Sequence, residues 1–171
     1  MSRAFVKEEE GEPNLPSLRV SSPHPNYITQ VGFEALSDQV HALVKERERL
    51  EVLDGMAGQG RIKEINRDLA YLNERLARAI VIRRPPSVLT RVQLGATVTF
   101  EDETGARRHA TLVGEDEADA GQGLISWVSP LGKALMGQSI GDQVTWRRPL
   151  GDTEIEITGI ACSERLQSGR S

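Results

Sequence analysis

The stretch LEVLDGMAGQGRIKEI, Leu50 to Ile65, separates two segments in which apolar residues recur at steps of three and four. Three glycines stand close together within it, at positions Gly55, Gly58 and Gly60. Glycine readily adopts the backbone conformations that end a helix and reverse the chain. The stretch therefore predicts a tight crossing between two helices.

The segments on either side of this crossing are typical of amphipathic, coiled-coil-like helices. Thr29 is a suitable N-cap for the first helix, and Pro85-Pro86 lies beyond the end of the second. A first helix from Thr29 to Leu53 would be roughly 37 Å long at ~1.5 Å per residue, and two such helices form an antiparallel hairpin. The first stripe comprises Phe33, Leu36, Val40, Leu43 and Leu50, with Arg47 at one seam position, and the second comprises Ile62, Ile65, Leu69, Leu72, Leu76 and Ala79.

The chain after Pro86 changes to a period of two, which predicts a small antiparallel sheet. Pro130 is placed to open a short helix, Leu131 to Met136, and Gly137 to end it as a left-handed cap. Trp127 and Trp146 fall in the strand-like alternation, so we expect both in the core. The remaining alternating apolar residues are Ala96, Val98, Phe100, Ala110, Leu112, Ile125, Val144, Ile155 and Ile157.

These patterns predict an α+β protein with two folded parts and two tails. The helical hairpin spans residues 27–84, and a β domain with one short helix spans residues 88–161. Residues 1–26, which hold four of the eight prolines, and the polar residues 162–171 predict flexible tails.

Composition excludes several classes of protein. The net charge of -4 over 171 residues gives no global electrostatic reason for binding nucleic acid or a membrane. The single cysteine, Cys162, excludes an internal disulfide and a cysteine-rich zinc site, and no apolar run is long enough to span a membrane. The cytoplasm is the simplest location, and no cofactor is predicted.

Charge is unevenly distributed along the chain, although the net charge is small. Residues 61–84 hold seven basic residues against three acids, and residues 101–119 hold seven acids against two arginines. The returning helix therefore carries a basic excess, and the first half of the β domain an acidic one.

The crossing offers two candidate ligand sites, each beside a plainer interpretation. Its glycines precede a helix, as in a phosphate-binding loop, but no strand comes before them, which favours an interhelical turn. Glu51 and Asp54 are weak candidates for a divalent metal, because a pair of carboxylates at a helix end is more often simply solvated.

The second helix carries a basic stripe. Arg67, Tyr71, Arg75 and Arg78 return to one side of the helix, away from the seam. They are either a phosphate-facing surface or, as is commoner, the charged outer face of an amphipathic helix. His24, His41 and His109 are scattered, none has a second histidine or cysteine at ligand spacing, and no Ser-His-acid arrangement can be argued. No catalytic residue is predicted.

Three stretches and the order of the parts resemble the bacterial Gre transcription elongation factors. YITQVGFEAL, Tyr27 to Leu36, resembles the opening of the family's first helix, and RIKEINRDLAYLNERLARAIVI, Arg61 to Ile82, resembles its returning helix. The more specific match is ISWVSPLGKALMGQSIGDQVTW, Ile125 to Trp146, which is similar to the family's C-terminal signature. The resemblance covers nearly everything except the tails.

The resemblance implies a partner and a mode of action. Family members insert a coiled-coil hairpin into the secondary channel of RNA polymerase, and a C-terminal domain of FKBP-like fold docks on the outside. Here that docking falls to Ser129, Pro130 and Leu131. RNA polymerase is thus the implied partner, with indirect contact to nascent RNA and none to a membrane.

The crossing departs from the family's pattern. Cleavage factors carry a motif like D-x-x-E-N-x-x-Y at the tip, whose Asp and Glu help bind the second catalytic Mg²⁺. The short turn DGMAGQG stands in its place here, and each residue missing from an arm retracts the tip by ~1.5 Å. A second departure is Val128, where an acid often precedes Ser-Pro. We therefore expect a polymerase-binding elongation factor that does not stimulate transcript cleavage and has no catalysis of its own.

Two alternatives remain open from the sequence. In the first, Glu51 or Asp54 reaches the polymerase Mg²⁺ site and supports cleavage. In the second, the FKBP-like domain binds peptides or isomerises prolyl bonds, which requires an aromatic-lined pocket. The aromatics available between Val88 and Ile160 are Phe100, Trp127 and Trp146.

Overall fold

A computed structural model of the chain describes residues 22–53, 58–83 and 88–166. Across these ranges the protein is a helical hairpin followed by a β domain, which confirms the predicted α+β class. The elements in chain order are β1 Tyr27–Thr29, α1 Gln30–Leu53, α2 Gln59–Ala77, β2 Ile80–Ile82, β3 Ala96–Asp102, β4 Arg107–Val113, β5 Leu124–Ser126, α3 Pro130–Leu135, β6 Gln143–Trp146 and β7 Thr153–Cys162.

The two long helices pack along the predicted apolar stripes. Ile62, Ile65, Leu69 and Leu72 of α2 are all buried, as their heptad spacing predicts. Arg47, the charged residue of the first stripe, donates a hydrogen bond to the Oδ1 of Asn66 on the facing helix at 3.1 Å. The hairpin therefore follows from local periodicity.

Thr29 caps α1 as its sequence position predicts. Its hydroxyl oxygen accepts a hydrogen bond from the Gly32 N–H at 3.1 Å. This contact satisfies one of the donors that the first turn of a helix leaves without an intrahelical partner.

The base of the hairpin contains a small sheet that the sequence pattern does not predict. β1 and β2 pair in parallel, with Tyr27 opposite Ile80 and Thr29 opposite Ile82. The interpretation of Ile80–Ile82 as the end of the returning helix is therefore wrong, because α2 ends at Ala77. Strands of three residues are too short to display a period of two, although their β-branched residues favour extended backbone.

The β domain is a five-stranded sheet in the order β5-β4-β3-β7-β6. The predicted strands are confirmed, but the predicted antiparallel pairing is wrong in one place, because β5 runs parallel to β4. The helix α3 packs against one face of the sheet and closes a single apolar core. Its buried members are Val92, Val98, Phe100, Ala110, Leu112, Leu131, Leu135, Ile155 and Ile157.

The short helix α3 is confirmed, with each end one residue before the predicted bounds of Leu131 and Met136. Pro130 is its first residue, and Gly137 follows it with a φ of 79°, in the left-handed region that favours glycine. The chain can therefore turn away after Met136 without strain.

The two tryptophans have different environments. Trp146 packs partly buried against the core and meets Phe100 edge to face. The expectation that Trp127 lies in the core is wrong. Its ring instead meets Tyr27 and His24 edge to face, at centroid distances of 5.5 and 5.8 Å, so it packs against the segment that leads into the hairpin.

The inner ends of both predicted tails pack onto the folded chain. Asn26 is buried and hydrogen-bonded, and Leu166 is buried against Gly95. The rest of the tail prediction falls on residues 1–21 and 167–171, outside the described ranges. Among the helices described, none has the length and apolar character needed to cross a membrane.

Candidate functional site

The hairpin is closed near its tip by an ion pair between the two helices. Arg61, in the first turns of α2, donates from Nε and Nη2 to the two carboxylate oxygens of Glu46 on α1, at 2.8 and 3.2 Å. Paired N–H···O contacts of this kind fix geometry as well as adding charge attraction. The Arg61 hydrogen bond holds the pKa of the Glu46 carboxyl below its usual value. The two arms are therefore joined close to the crossing.

One of the two candidate metal residues, Glu51, lies near the end of α1. Glu51 is half exposed, and its carboxylate lies 3.7 Å from the Arg47 guanidinium one turn earlier. Asp54 falls outside the described residues. Within the part of the chain that the structure describes, no three His, Cys, Asp or Glu side chains are grouped so as to hold a metal ion.

The predicted docking residues lie at the loop that leads from β5 into α3. Ser129 is half-buried, and its hydroxyl oxygen accepts the Gly132 N–H at 3.0 Å as the N-cap of α3. Pro130 is exposed, whereas Leu131 is buried in the core of the β domain. Leu131 therefore anchors the loop from inside, and it is Ser129 and Pro130 that present a surface.

We expect Ser129→Ala to lower the free energy of unfolding by about 1 kcal/mol, because it removes an N-cap hydrogen bond. Urea denaturation measures the change. Ser37→Ala is the matched control, since the Ser37 hydroxyl donates to the Phe33 carbonyl inside α1 and alanine is the better helix former. Equal losses in the two variants would contradict a capping role.

The predicted basic stripe divides into two parts. Arg67 and Arg78 are exposed, as the stripe requires. The placement of Arg75 on an outward face is wrong, because its side chain is 3% exposed. Its Nε donates to the Oδ2 of Asp116 at 2.7 Å, and Tyr71 donates to the other oxygen of the same carboxylate at 3.2 Å. The β domain covers this part of the stripe.

The covering element is a three-residue 3₁₀ turn, Glu115–Glu117, which we call the acidic turn. No motif in the sequence marks this turn as functional. The signal that could have found it is the basic excess of residues 61–84 beside the acidic excess of residues 101–119. Its three side chains all meet the hairpin or the C-terminal segment: Glu115 lies 3.9 Å from Arg75, Asp116 binds Arg75, and Glu117 lies 3.4 Å from Arg165.

A surface cleft of about 340 Å³ lies on the β domain. Its lining is acidic rather than aromatic, so it lacks the character that a prolyl-peptide pocket needs. The lining residues are Glu101, Asp102, Glu103, Gln143, Glu154, Ile155 and Glu156. The Thr104 hydroxyl, which donates to Asp102, holds the pKa of that carboxyl below its usual value.

Comparison with known proteins identifies the family. Residues 86–161 match the model of the GreA/GreB transcription elongation factor C-terminal region. GreB of Neisseria meningitidis serogroup B is 36% identical over 157 residues, covering 82% of this chain and 96% of the relative. GreA of Syntrophotalea carbinolica is 34% identical, covering 94% of this chain and 99% of the relative.

A solved structure adds a weaker likeness. The prokaryotic transcription elongation factor GreA/GreB from Nitrosomonas europaea is 27% identical, covers 79% of this chain and 98% of its own, and has a TM-score of 0.38. The sequence relationships carry the assignment. The chain belongs to the GreA/GreB family of transcription elongation factors.

Proposed function

We propose that this chain binds RNA polymerase through its β domain and acts on elongation by extending its hairpin into the secondary channel, without stimulating transcript cleavage. A cytoplasmic location follows from that partner. In this proposal the hairpin gains effective concentration in the channel because the docked domain tethers it. Catalysis remains with the polymerase.

The observation that carries the proposal is the sequence of the crossing. The helices α1 and α2 are separated by residues 54–58, and no D-x-x-E-N-x-x-Y lies between or beside them. The acid nearest the end of α1 among the described residues, Glu51, lies beside Arg47. A Mg²⁺ ion held by protein carboxylates needs those oxygens free and correctly placed.

We infer that the hairpin is shorter than in these relatives. The match to the Neisseria GreB spans 157 residues but covers only 82% of this 171-residue chain, so some aligned positions of the relative have no counterpart here. A hairpin that lacks residues in each arm is shorter by ~1.5 Å for each of them. An acid near its tip would then stop short of the polymerase metal.

Retention of RNA polymerase by the immobilised protein tests the docking half of the proposal. We expect the wild type to retain the enzyme. Ser129→Arg and Pro130→Arg should each weaken binding by about tenfold or more, because a bulky charge is introduced into the contact loop. A tenfold loss of affinity corresponds to roughly 1.4 kcal/mol. Gln143→Arg is the matched control, because it adds the same charge at an exposed position on the edge strand β6. Failure of the wild type to bind would reject the proposal.

Cleavage of RNA in stalled elongation complexes tests the other half. We expect the wild type to add nothing to the cleavage that polymerase performs alone. The variant Glu51→Ala/Asp54→Ala should behave like the wild type. Stimulated cleavage that disappears in this double variant would instead identify a cleavage factor whose tip acids reach the metal.

A further inference from the structure

The acidic turn contacts the base of both helices of the hairpin. We propose that it is a positioning clasp: it fixes the angle at which the hairpin leaves the β domain and therefore where the tip lies. The inference concerns the free protein and goes beyond the proposed function. Three sets of contacts form the clasp, and we call the first two its arms: Glu117 with the start of α1, Asp116 with α2, and a close approach of the backbones between them.

The first arm is Glu117, which binds the start of α1. One carboxylate oxygen accepts the Thr29 N–H at 2.8 Å, and the other accepts the Thr29 hydroxyl. The same carboxylate accepts the Gly114 N–H at 3.2 Å, which ties it to its own domain. The Glu117 side chain is 2% exposed. A desolvated carboxylate with these donors holds its geometry, because moving away from Thr29 would cost a buried charge two of its hydrogen bonds.

The second arm is Asp116, which binds α2 through Arg75 and Tyr71. Arg75 also donates from Nη2 to the Asn26 side-chain oxygen, and the Asn26 amide donates to the Arg75 carbonyl at 2.7 Å. The guanidinium therefore links the acidic turn, α2 and the segment before β1. Only arginine has the fork of donors that can make these contacts together.

Two glycines allow the backbones to approach between the arms. A Cβ at Gly32 on α1 would overlap the Glu117 carboxylate, and a Cβ at Gly114 would overlap the Tyr27 carbonyl oxygen. Trp127 adds its edge-to-face contact with Tyr27 on the same side. Because the contacts lie on two different helices, the hairpin cannot rotate about a single point.

The length of the hairpin makes this restraint important. The 24 residues of α1 give a lever of about 36 Å, so a rotation of about 10° at the base moves the tip by about 6 Å. A protein that acts at its tip requires positional accuracy well below that distance. The clasp supplies this positional accuracy at the base, where a small change of angle produces the largest movement of the tip.

Pulsed electron paramagnetic resonance on the full chain measures the angle directly. Spin labels are attached at Val52→Cys on α1 and Leu150→Cys on the β domain, in a Cys162→Ser background. The native side chains at these two positions are 83% and 96% exposed. We expect one narrow distance distribution in the labelled parent. Asp116→Ala/Glu117→Ala should broaden it by several ångströms, and so should Gly32→Ala, which displaces Glu117 without removing a charge.

Matched controls separate clasp loss from general effects. Glu103→Ala/Glu156→Ala removes the same charge from exposed positions of the β domain, and Gly60→Ala adds a methyl group in the first turn of α2, where a Cβ would meet nothing within 4 Å. Both controls should keep the narrow distribution. Circular dichroism checks the helix content of every variant. A narrow distribution in either clasp variant with parental helix content would overturn the proposal.

Tryptophan fluorescence gives a second, label-free readout. In a Trp146→Phe background the emission reports Trp127 alone, and opening of the clasp should shift it to longer wavelength as water reaches the ring. An unshifted emission in Gly32→Ala would count against the clasp. Neither measurement uses RNA polymerase, so neither depends on the proposed function.

A third readout joins the two proposals. If the chain docks on polymerase as proposed, the clasp variants should bind the enzyme as tightly as the wild type through Ser129 and Pro130, yet lose the effect of the hairpin on elongation. Loss of binding in the retention assay with an unchanged distance distribution would point to the docking surface and away from the clasp.

Discussion

Arg75→Ala is expected to lower the free energy of unfolding by about 3–5 kcal/mol, because it leaves the buried Asp116 carboxylate without its cation. The Arg75 side chain is 3% exposed and that of Asp116 is 10% exposed, so the carboxylate that loses its cation is largely shielded from bulk water. The Asn26 side chain also loses a donor. Urea denaturation followed by the helical circular dichroism signal measures the loss.

Arg78→Ala is the matched control for this substitution. Arg78 is the C-cap of the same helix, about one turn from Arg75, but its side chain is 54% exposed and pairs with Glu74 on α2. Exposed pairs at this spacing contribute at most about 0.5 kcal/mol. If the two variants lost similar stability, the burial of Arg75 would have no energetic consequence and the assignment of its role would be wrong.

Leu135→Ala is expected to cost about 2–5 kcal/mol, the range for deleting a fully buried leucine side chain. Leu135 is 0% exposed and packs in the core on which α3 rests. The cavity would also loosen α3 and with it the loop that presents Ser129 and Pro130. Denaturation curves should therefore shift, and retention of RNA polymerase should weaken in parallel.

Leu150→Ala provides the comparison for this variant. Leu150 is 96% exposed in the turn between β6 and β7, so its replacement should change the free energy of unfolding by less than about 0.5 kcal/mol. A large loss at Leu150, or a negligible one at Leu135, would contradict the position of the core.

The elements themselves were predictable from local sequence. The heptad steps from Ile62 to Leu72 become the buried face of α2, and the alternation at Ala96, Val98 and Phe100 becomes the inner face of β3. Both patterns arise because backbone geometry repeats every 3.6 or 2 residues, so a side chain's direction follows from its position in the element. The cap at Thr29 and the left-handed Gly137 are local in the same sense.

The pairing of distant segments was not predictable in this way. β1 and β2 lie at opposite ends of the hairpin in sequence, and each is too short to carry a pattern of its own. The parallel contact between β4 and β5 likewise depends on how the connecting segment 114–123 folds. Such contacts form when the rest of the chain has brought the strands together.

The roles of individual polar and aromatic side chains depend on the same long-range contacts. Local sequence places Arg75 beside Arg67 and Arg78, and places Trp127 in an alternating run. The assembled protein instead buries Arg75 under the acidic turn and sets Trp127 against Tyr27. Periodicity indicates which way a side chain points from its own element. Whether that side chain then meets water, a core or an opposite charge depends on which distant element covers it.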